Sequence, residues 1–307
     1  MNESYIEKEI LDLKKLFLSL FKEKKLIISC TTLFAVFSIF YALSITNTYS
    51  SDAKLIATAE LEVSQNRIDI GGGGLGGFAG LVSSSSLNTD PRTKLAKELL
   101  TSIDFINEFV FKRNILIPLM AGESWNQKEN KIDINKNIYD EKTKKWLRKA
   151  TFLFDSAPSK NEVFNKFSSN FEIKKNKDGI TTISLSSLSP HVSKSWLTWI
   201  IDDVNEEIRK KEISSSQQRI NFLLNELKFE SVTSTKEAIS SVLKSEYSKL
   251  MLANTQKDYA YTIIDPPNLA TNREGTPRSI ICILITTLGF FLSLLIVILK
   301  NYIKFFK

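Results

Sequence analysis

LIISCTTLFAVFSIFYALSI, residues 26–45, and IICILITTLGFFLSLLIVIL, residues 280–299, are twenty-residue runs without one charged side chain. At about 1.5 Å of rise per residue, each covers about 30 Å as a helix, the thickness of a bilayer's hydrocarbon core. Both runs therefore read as transmembrane helices. A cleaved signal peptide has an apolar core of only about 7 to 15 residues, although Ala42-Leu43-Ser44 is a weak cleavage site. The second run is apolar on every face and is followed by Lys300, Lys304 and Lys307, unlike a buried core helix.

Basic residues beside the spans set the orientation. Lys14, Lys15, Lys22, Lys24 and Lys25 precede the first span and Lys300, Lys304 and Lys307 follow the second, against Lys54, Arg273 and Arg278 on the inner flanks. Positive charge stays in the cytoplasm. Both termini are thus expected inside the cell, with residues 46–279 forming one large domain across the membrane.

Of 41 Lys plus Arg and 34 Asp plus Glu, the two tails hold 9 basic and 5 acidic residues, leaving 32 and 29 for the loop. So balanced a loop lacks the concentrated basic face that nucleic acid requires. Two Cys and one His cannot assemble a zinc or iron site, and no metal or other cofactor is expected. Cys30 and Cys282 fall at opposite depths of their spans, too far apart for a disulfide.

Outward from the first span, Ile6, Ile10, Leu13, Phe17 and Leu20 predict an amphipathic helix in the cytoplasmic interface or against a partner. On the other side, alternation from Ala53 to Val63 predicts a half-buried strand. Seven of the eleven glycines then crowd into residues 71–80. Gly71, Gly73 and Gly76 match a dinucleotide fingerprint literally, but as one match within a glycine run, and a loop is the better reading. A helix is predicted from an Asp90 cap to about Arg113, and others from Asp140 to Phe154 and from Ser159 to Phe167. Phe171–Asn176 and Ile180–Ser187, joined across Asp178-Gly179, predict a hairpin.

No Gly or Pro stands between Pro190 and Pro266. Ile213, Ile220 and Leu227 repeat at seven along this stretch, a packing seam suited to neighbouring subunits of an oligomer. Helix from Pro190 to Glu230 is about 60 Å long and should project from the domain. Ser234 to Glu237 reads as the capping box of a return helix, and Tyr259, Tyr261 and Ile263 alternate as a last strand. The expected fold class is α+β, with two transmembrane helices flanking a membrane-proximal base and a protruding helical hairpin. The divisions are a cytoplasmic segment 1–25, spans 26–45 and 280–299, a base of 46–188 with 257–279, an arm 189–256 and a tail 300–307.

Catalytic chemistry is missing from the pattern. His191, the only imidazole, opens a predicted helix, and no nucleophile elbow surrounds any serine. Asp202-Asp203 and Glu206-Glu207 read as a solvated helix face. Lys144, Lys145, Trp146 and Arg148 are a candidate contact for anionic polymer or phospholipid headgroups, or a charged face with one aromatic anchor.

Three segments resemble a known family. They are Ile10 to Lys25 with span one and TYSSDAKLIAT (48–58), then LAKELLTSIDFINEF (95–109), then residues 241–279 with span two. Pro266, Pro267, Pro277, Arg278 and Gly289 fall on motif positions, while Ala270 and Ser293 depart from them. Together these resemble the polysaccharide co-polymerases, the Wzz-type chain-length determinants of bacterial envelope polysaccharides. The resemblance implies a non-catalytic inner-membrane protein that assembles into a homo-oligomeric ring in the phospholipid bilayer. It would work with an integral-membrane polymerase on a lipid-linked polysaccharide such as O-antigen. Tails of 25 and 8 residues leave no room for the cytoplasmic kinase of some relatives. A capsule-type export adaptor, partnered by a transporter, is the competing reading and would need arms longer than about 60 Å.

Overall fold

The computed structural model describes residues 23–58, 91–148, 156–275 and 277–305. The elements are, in chain order, α1 (Lys24–Ser44), β1 (Tyr49–Ala57), α2 (Pro91–Leu100), α3 (Ile103–Lys112), α4 (Leu116–Ala121), β2 (Gly122–Asn126) and β3 (Lys131–Ile134). There follow β4 (Tyr139–Asp140), β5 (Lys145–Trp146), α5 (Lys160–Ser168), β6 (Phe171–Lys175), β7 (Thr181–Ser187), α6 (Pro190–Phe229), α7 (Thr233–Thr255), β8 (Tyr261–Asp265) and α8 (Arg278–Phe305). The architecture is α+β, flanked by one long apolar helix near each end. Two compact units result, one joining the chain up to Asn47 with the chain from Gly275, the other spanning Thr48–Glu274.

In the first unit α1 packs along α8. Both are long and apolar enough to cross a membrane, and only 11% and 17% of their most apolar windows is buried. Such exposure of Leu, Ile and Phe suits lipid rather than a protein core.

The second unit is built on an antiparallel sheet in the order β6-β7-β1-β8. Alternation in β1 turns Ala53, Leu55 and Ala57 to the core, and the same period in β7 turns Ile183 and Leu185 inward. The proximal half of α6 covers this face with Leu197, Ile200, Ile201, Val204 and Ile208. Helices α2, α3 and α5 complete the core with Leu100, Ile106, Phe109 and Phe167. No α6 residue beyond Ile213 belongs to this cluster, and there α7 is the neighbour. Forty residues make α6 about 60 Å long, as expected.

Several local expectations change. The helix over 91–113 is two helices, because Thr101 Oγ1 donates back to the carbonyls of Lys97 and Glu98 and Ser102 is extended. No helix forms over 140–148. Asp140 accepts from the Lys142 amide at 2.9 Å and the Thr143 hydroxyl at 2.7 Å, Lys144 takes a φ of 54°, and the chain doubles back as β4–β5. A short carboxylate that captures its own backbone competes with helix. The first strand starts at Tyr49, four residues ahead of the predicted Ala53. Helix α7 is capped at Val232, without the expected side-chain bond from Ser234. Glu230 instead accepts from the amides of Ser231 and Val232. Ser159 and Glu162 make a reciprocal capping box on α5. Gly179, with φ 84°, supplies the turn between β6 and β7. The amphipathic helix over 6–20, the glycine run and the Asp90 cap lie outside the described residues.

Candidate functional sites

Three places in the fold hold the residues singled out in the sequence. The first is the stretch that follows β8. β8 pairs with β1 only over Lys54–Ala57, and Pro266-Pro267 then closes off the ladder, since proline has no amide hydrogen to donate. The chain keeps company with β1 through isolated backbone and side-chain bonds instead. Asn268 donates its amide to the Asp52 carbonyl at 3.4 Å and its Oδ1 accepts from the Asp52 amide at 3.3 Å. Ser51 Oγ donates to the Asn268 carbonyl at 2.6 Å. Glu274 then bridges to Thr48, its amide 2.7 Å from the Thr48 carbonyl, and its carboxylate accepts from Ser186 Oγ. Residues 266–274 are thus pinned to the first half of β1 by polar contacts, where prolines forbid a regular strand.

The second place is the paired spans. Arg278 opens α8 and donates from Nη2 to the Ile45 carbonyl at 3.0 Å and to Asn47 Oδ1 at 3.2 Å. Pro277 immediately precedes it, outside the helix where a missing donor costs nothing. Gly289 lies flush against Phe34, and a side chain there would collide with Cβ and Cγ of that ring. Ser38 and Ser293 are also buried, and Cys282 Sγ points to the Ser38 carbonyl at 3.8 Å. At the far end, Lys300 Nζ meets Glu23 at 2.7 Å. Small residues permit close approach where hydrophobic driving force between helices is absent. Both cysteines are free thiols.

The third is the helical arm. Ile220 is 4% exposed, one turn from Ser216 and next to Arg219, whose side chains reach Glu246 of α7 at 3.3 and 2.8 Å. The heptad seam is therefore turned inward at Ile220, onto α7, and Ile213 packs on the core; Leu227 is half-buried. The same apolar repeat thus serves the intramolecular hairpin at Ile220. Phe222 and Phe229, 63% and 81% exposed, stand two positions on from Ile220 and Leu227, about 200° round the helix. Ile220→Ala is expected to cost about 2 kcal/mol by leaving a cavity between the helices. Urea unfolding followed by circular dichroism measures it.

Glu246 accepts from Arg219 Nε, from Ser216 Oγ and from Lys249 Nζ at 2.9 Å, and Arg219 also reaches Glu212 at 2.9 Å. Burial alone would raise the Glu246 pKa, but bonds from Lys249 and Arg219 outweigh it and hold the carboxyl below its ordinary value. A charge so surrounded defines one register for α6 on α7.

The Asp202-Asp203 reading also changes. Asp203 is buried and paired with Arg113 Nη2 at 2.7 Å and Lys112 Nζ at 3.0 Å. Burial opposes its charge, yet bonds from Arg113 and Lys112 keep its pKa lowered. The Arg113 guanidinium lies 5.5 Å from the Trp199 ring centre. This carboxylate ties α3 to α6.

Lys144, Lys145 and Trp146 sit on the β4–β5 hairpin, the lysines exposed and Trp146 packed edge-on to Tyr139 at 4.9 Å. Arg148 is separated from them by its work: Nη1 binds Glu162 at 2.8 Å and Nε binds the Ser156 carbonyl. The Arg148 bond, reinforced by the Ser159 amide, lowers the Glu162 pKa to about 2. A folded pKa below the unfolded one adds stability above pH about 4.5 that is lost as pH falls toward 2. Glu162→Gln is expected to remove about 1 kcal/mol at neutral pH and flatten acid unfolding across that window, seen in denaturation midpoints from pH 7 to 3.

One functional side chain escaped the sequence reading. Asn205 of α6 is buried, accepts from the amides of Ala260 and Tyr261 at 3.0 and 2.9 Å, and donates to the Tyr261 carbonyl at 2.9 Å. It closes the open edge of β8. Its signal was a polar residue on the apolar stripe Leu197, Ile201, Val204, Ile208. Among the described residues no group of three or more His, Cys, Asp or Glu is placed to hold a metal.

Comparison with known proteins adds the following. Residues 9–112 match the family model Wzz, chain length determinant protein. No curated protein matches the chain. Among solved structures, the chain is similar to a full-length bacterial polysaccharide co-polymerase at 13% identity, covering 94% of this chain and 97% of that one, with a TM-score of 0.38. It is similar to a fragment of WzzB, a polysaccharide co-polymerase from Salmonella Typhimurium, at 12% identity, 75% and 100% coverage and a TM-score of 0.30. A Wzz dodecamer fitted to a cryo-EM map shares 11% identity over 74% of this chain and 100% of that chain, with a TM-score of 0.24. The match runs through the first span and β1 to the end of α3, so this part of the chain is similar to the Wzz chain length determinant family.

Proposed function

We propose that this protein is a non-catalytic regulator of the chain length of a surface polysaccharide, O-antigen or a related polymer. It acts in the bacterial inner membrane as a homo-oligomeric ring, beside a separate integral-membrane polymerase and its lipid-linked substrate. Both termini face the cytoplasm and residues 46–279 the periplasm, divided into a base (46–188 and 257–279) and an arm (189–256). The observation that carries this reading is the chain-length-determinant match over residues 9–112, which begins before the first span. The excess of lysine on the outer flanks of both spans supports the orientation.

A regulator of this kind needs a stiff link between membrane and body rather than a reactive centre. The pinned stretch 266–274 and the Arg278 contacts are suited to that role, because each removes rotatable freedom just before or just inside the second span. Lys144, Lys145, Trp146 and Arg148 are the proposed contact for polymer or headgroups. Arg148, the fourth residue of the proposed contact, is also paired with Glu162. On the arm, the surface offered to a neighbouring subunit is Phe222 and Phe229, seven residues apart on one face. Phe222→Asp with Phe229→Asp is expected to shorten the ladder of chemically cross-linked species while circular dichroism stays unchanged.

An export adaptor is the second reading, and the 40-residue α6 weighs against it, since bridging the envelope needs arms longer than about 60 Å. Deleting the gene and separating surface polysaccharide on gels tests the choice. Loss of a preferred size with polymer still made supports chain-length control. Complete loss of surface polymer supports the exporter.

A further inference from the structure

Three rings from three elements meet at one end of the sheet. Tyr49 opens β1, Trp125 lies in β2 and His191 is the second residue of α6. The Tyr49 and Trp125 centroids are 5.4 Å apart, edge to face, and Trp125 and His191 are 6.3 Å apart. Tyr49 and Trp125 are half-buried and His191 is exposed. The indole N–H is already satisfied by Asn130 Oδ1 at 3.2 Å.

The covalent chain limits where these rings can be. Tyr49 follows Ser44, the last residue of the first span, by five positions, so their Cα atoms cannot be more than about 17 Å apart. Glu274, bridged to Thr48, precedes Arg278 by four positions, about 14 Å at most. Two short tethers therefore leave from the residues beside Tyr49.

We propose that Tyr49, Trp125 and His191 form a platform that seats on the headgroup layer of the bilayer, so that the partner is a lipid surface. Each ring couples an apolar body to a polar tip, the combination that favours the membrane–water interface. Charge does not drive it, because Lys128 and Lys131 of the β2–β3 hairpin are offset by Glu123, Glu129 and Asp133. Seating is thus insensitive to salt and to anionic lipid. Rings at interplanar angles of 76° and 57° offer no flat pair to sandwich a sugar. The platform adds a third attachment to the two tethers and would stop the base from tilting. It rests on the reading that both spans cross the bilayer.

The test uses the full chain in nanodiscs of phosphatidylethanolamine and phosphatidylglycerol whose acyl chains carry bromine near the glycerol end. The Trp125 emission is taken as the difference between the wild type and Trp125→Phe. That component is expected to lose about half its intensity relative to unbrominated discs, equally with and without phosphatidylglycerol. An unquenched component places the indole in water or protein and overturns the platform. So does an absence of lipid quenching joined to a blue shift on adding soluble oligosaccharide, which would make the rings a sugar site. A chain that fails to co-elute with the disc overturns the membrane reading itself, and the platform with it.

Discussion

Asn205→Ala is expected to destabilise the protein by about 3–5 kcal/mol, more than loss of any ordinary side-chain hydrogen bond. In an antiparallel strand the N–H and C=O of one residue point to the same edge. At Tyr261 both point away from β1, toward α6, where the Asn205 amide answers with one acceptor and one donor. The side chain thus replaces a missing neighbouring strand. Alanine would strand the amides of Ala260 and Tyr261 and the carbonyl of Tyr261, all in residues buried in the core. Asn205→Asp should be nearly as damaging, because it keeps the acceptor but sets an oxygen against the Tyr261 carbonyl. Unfolding followed by tryptophan emission, to which Trp196, buried on the same helix, contributes, measures both. A cost under about 1 kcal/mol for either variant would show that water substitutes for the amide.

Gly289→Leu is the second large effect. The close approach of α8 to Phe34 has no room for a Cβ, so the added side chain must push the spans apart or turn the ring out of the seam. Overpacking of this kind costs about 3 kcal/mol at the upper end of its range. The spans are also tied at both ends, by Arg278 to Ile45 and Asn47 and by Lys300 to Glu23, so separation in the middle strains those bonds too. The variant is expected to melt earlier in detergent and to broaden the modal distribution of the polysaccharide. Phe34→Ala in the same chain should restore both, since it removes the ring that the introduced leucine would strike. Failure of that rescue would place the cause outside the helix pair.

Both residues show how legible the protein was. Gly289 stood out because it falls on a family motif, yet that resemblance offered no partner, and Phe34 lies more than 250 residues away in the sequence. Asn205 did not stand out, because nothing in a helical stripe announces that a strand edge lies opposite. The length of the arm's first helix, Pro190–Phe229, is legible in the sequence, while its partner is not. A heptad repeat signals packing against some helix, and α7 of the same chain satisfies it at Ile220. Asp203 was misread for a related reason, since burial is decided by which neighbours arrive, here Lys112 and Arg113. Residues 140–148 failed because a helical composition yielded to one local capture by Asp140.

Sequence alone determined the parts whose physics is local: two apolar spans, the hairpin around Gly179, the long helix that begins at Pro190, and the alternation of β1. Each depends on spacing and residue type within one stretch. Tertiary structure decided the pairing of those parts: which strand edge needed closing, which carboxylates were buried with cations, which face of the arm was spent internally. Those outcomes depend on residues far apart in the chain meeting in space, and their energies are set by burial, which no single stretch of sequence contains.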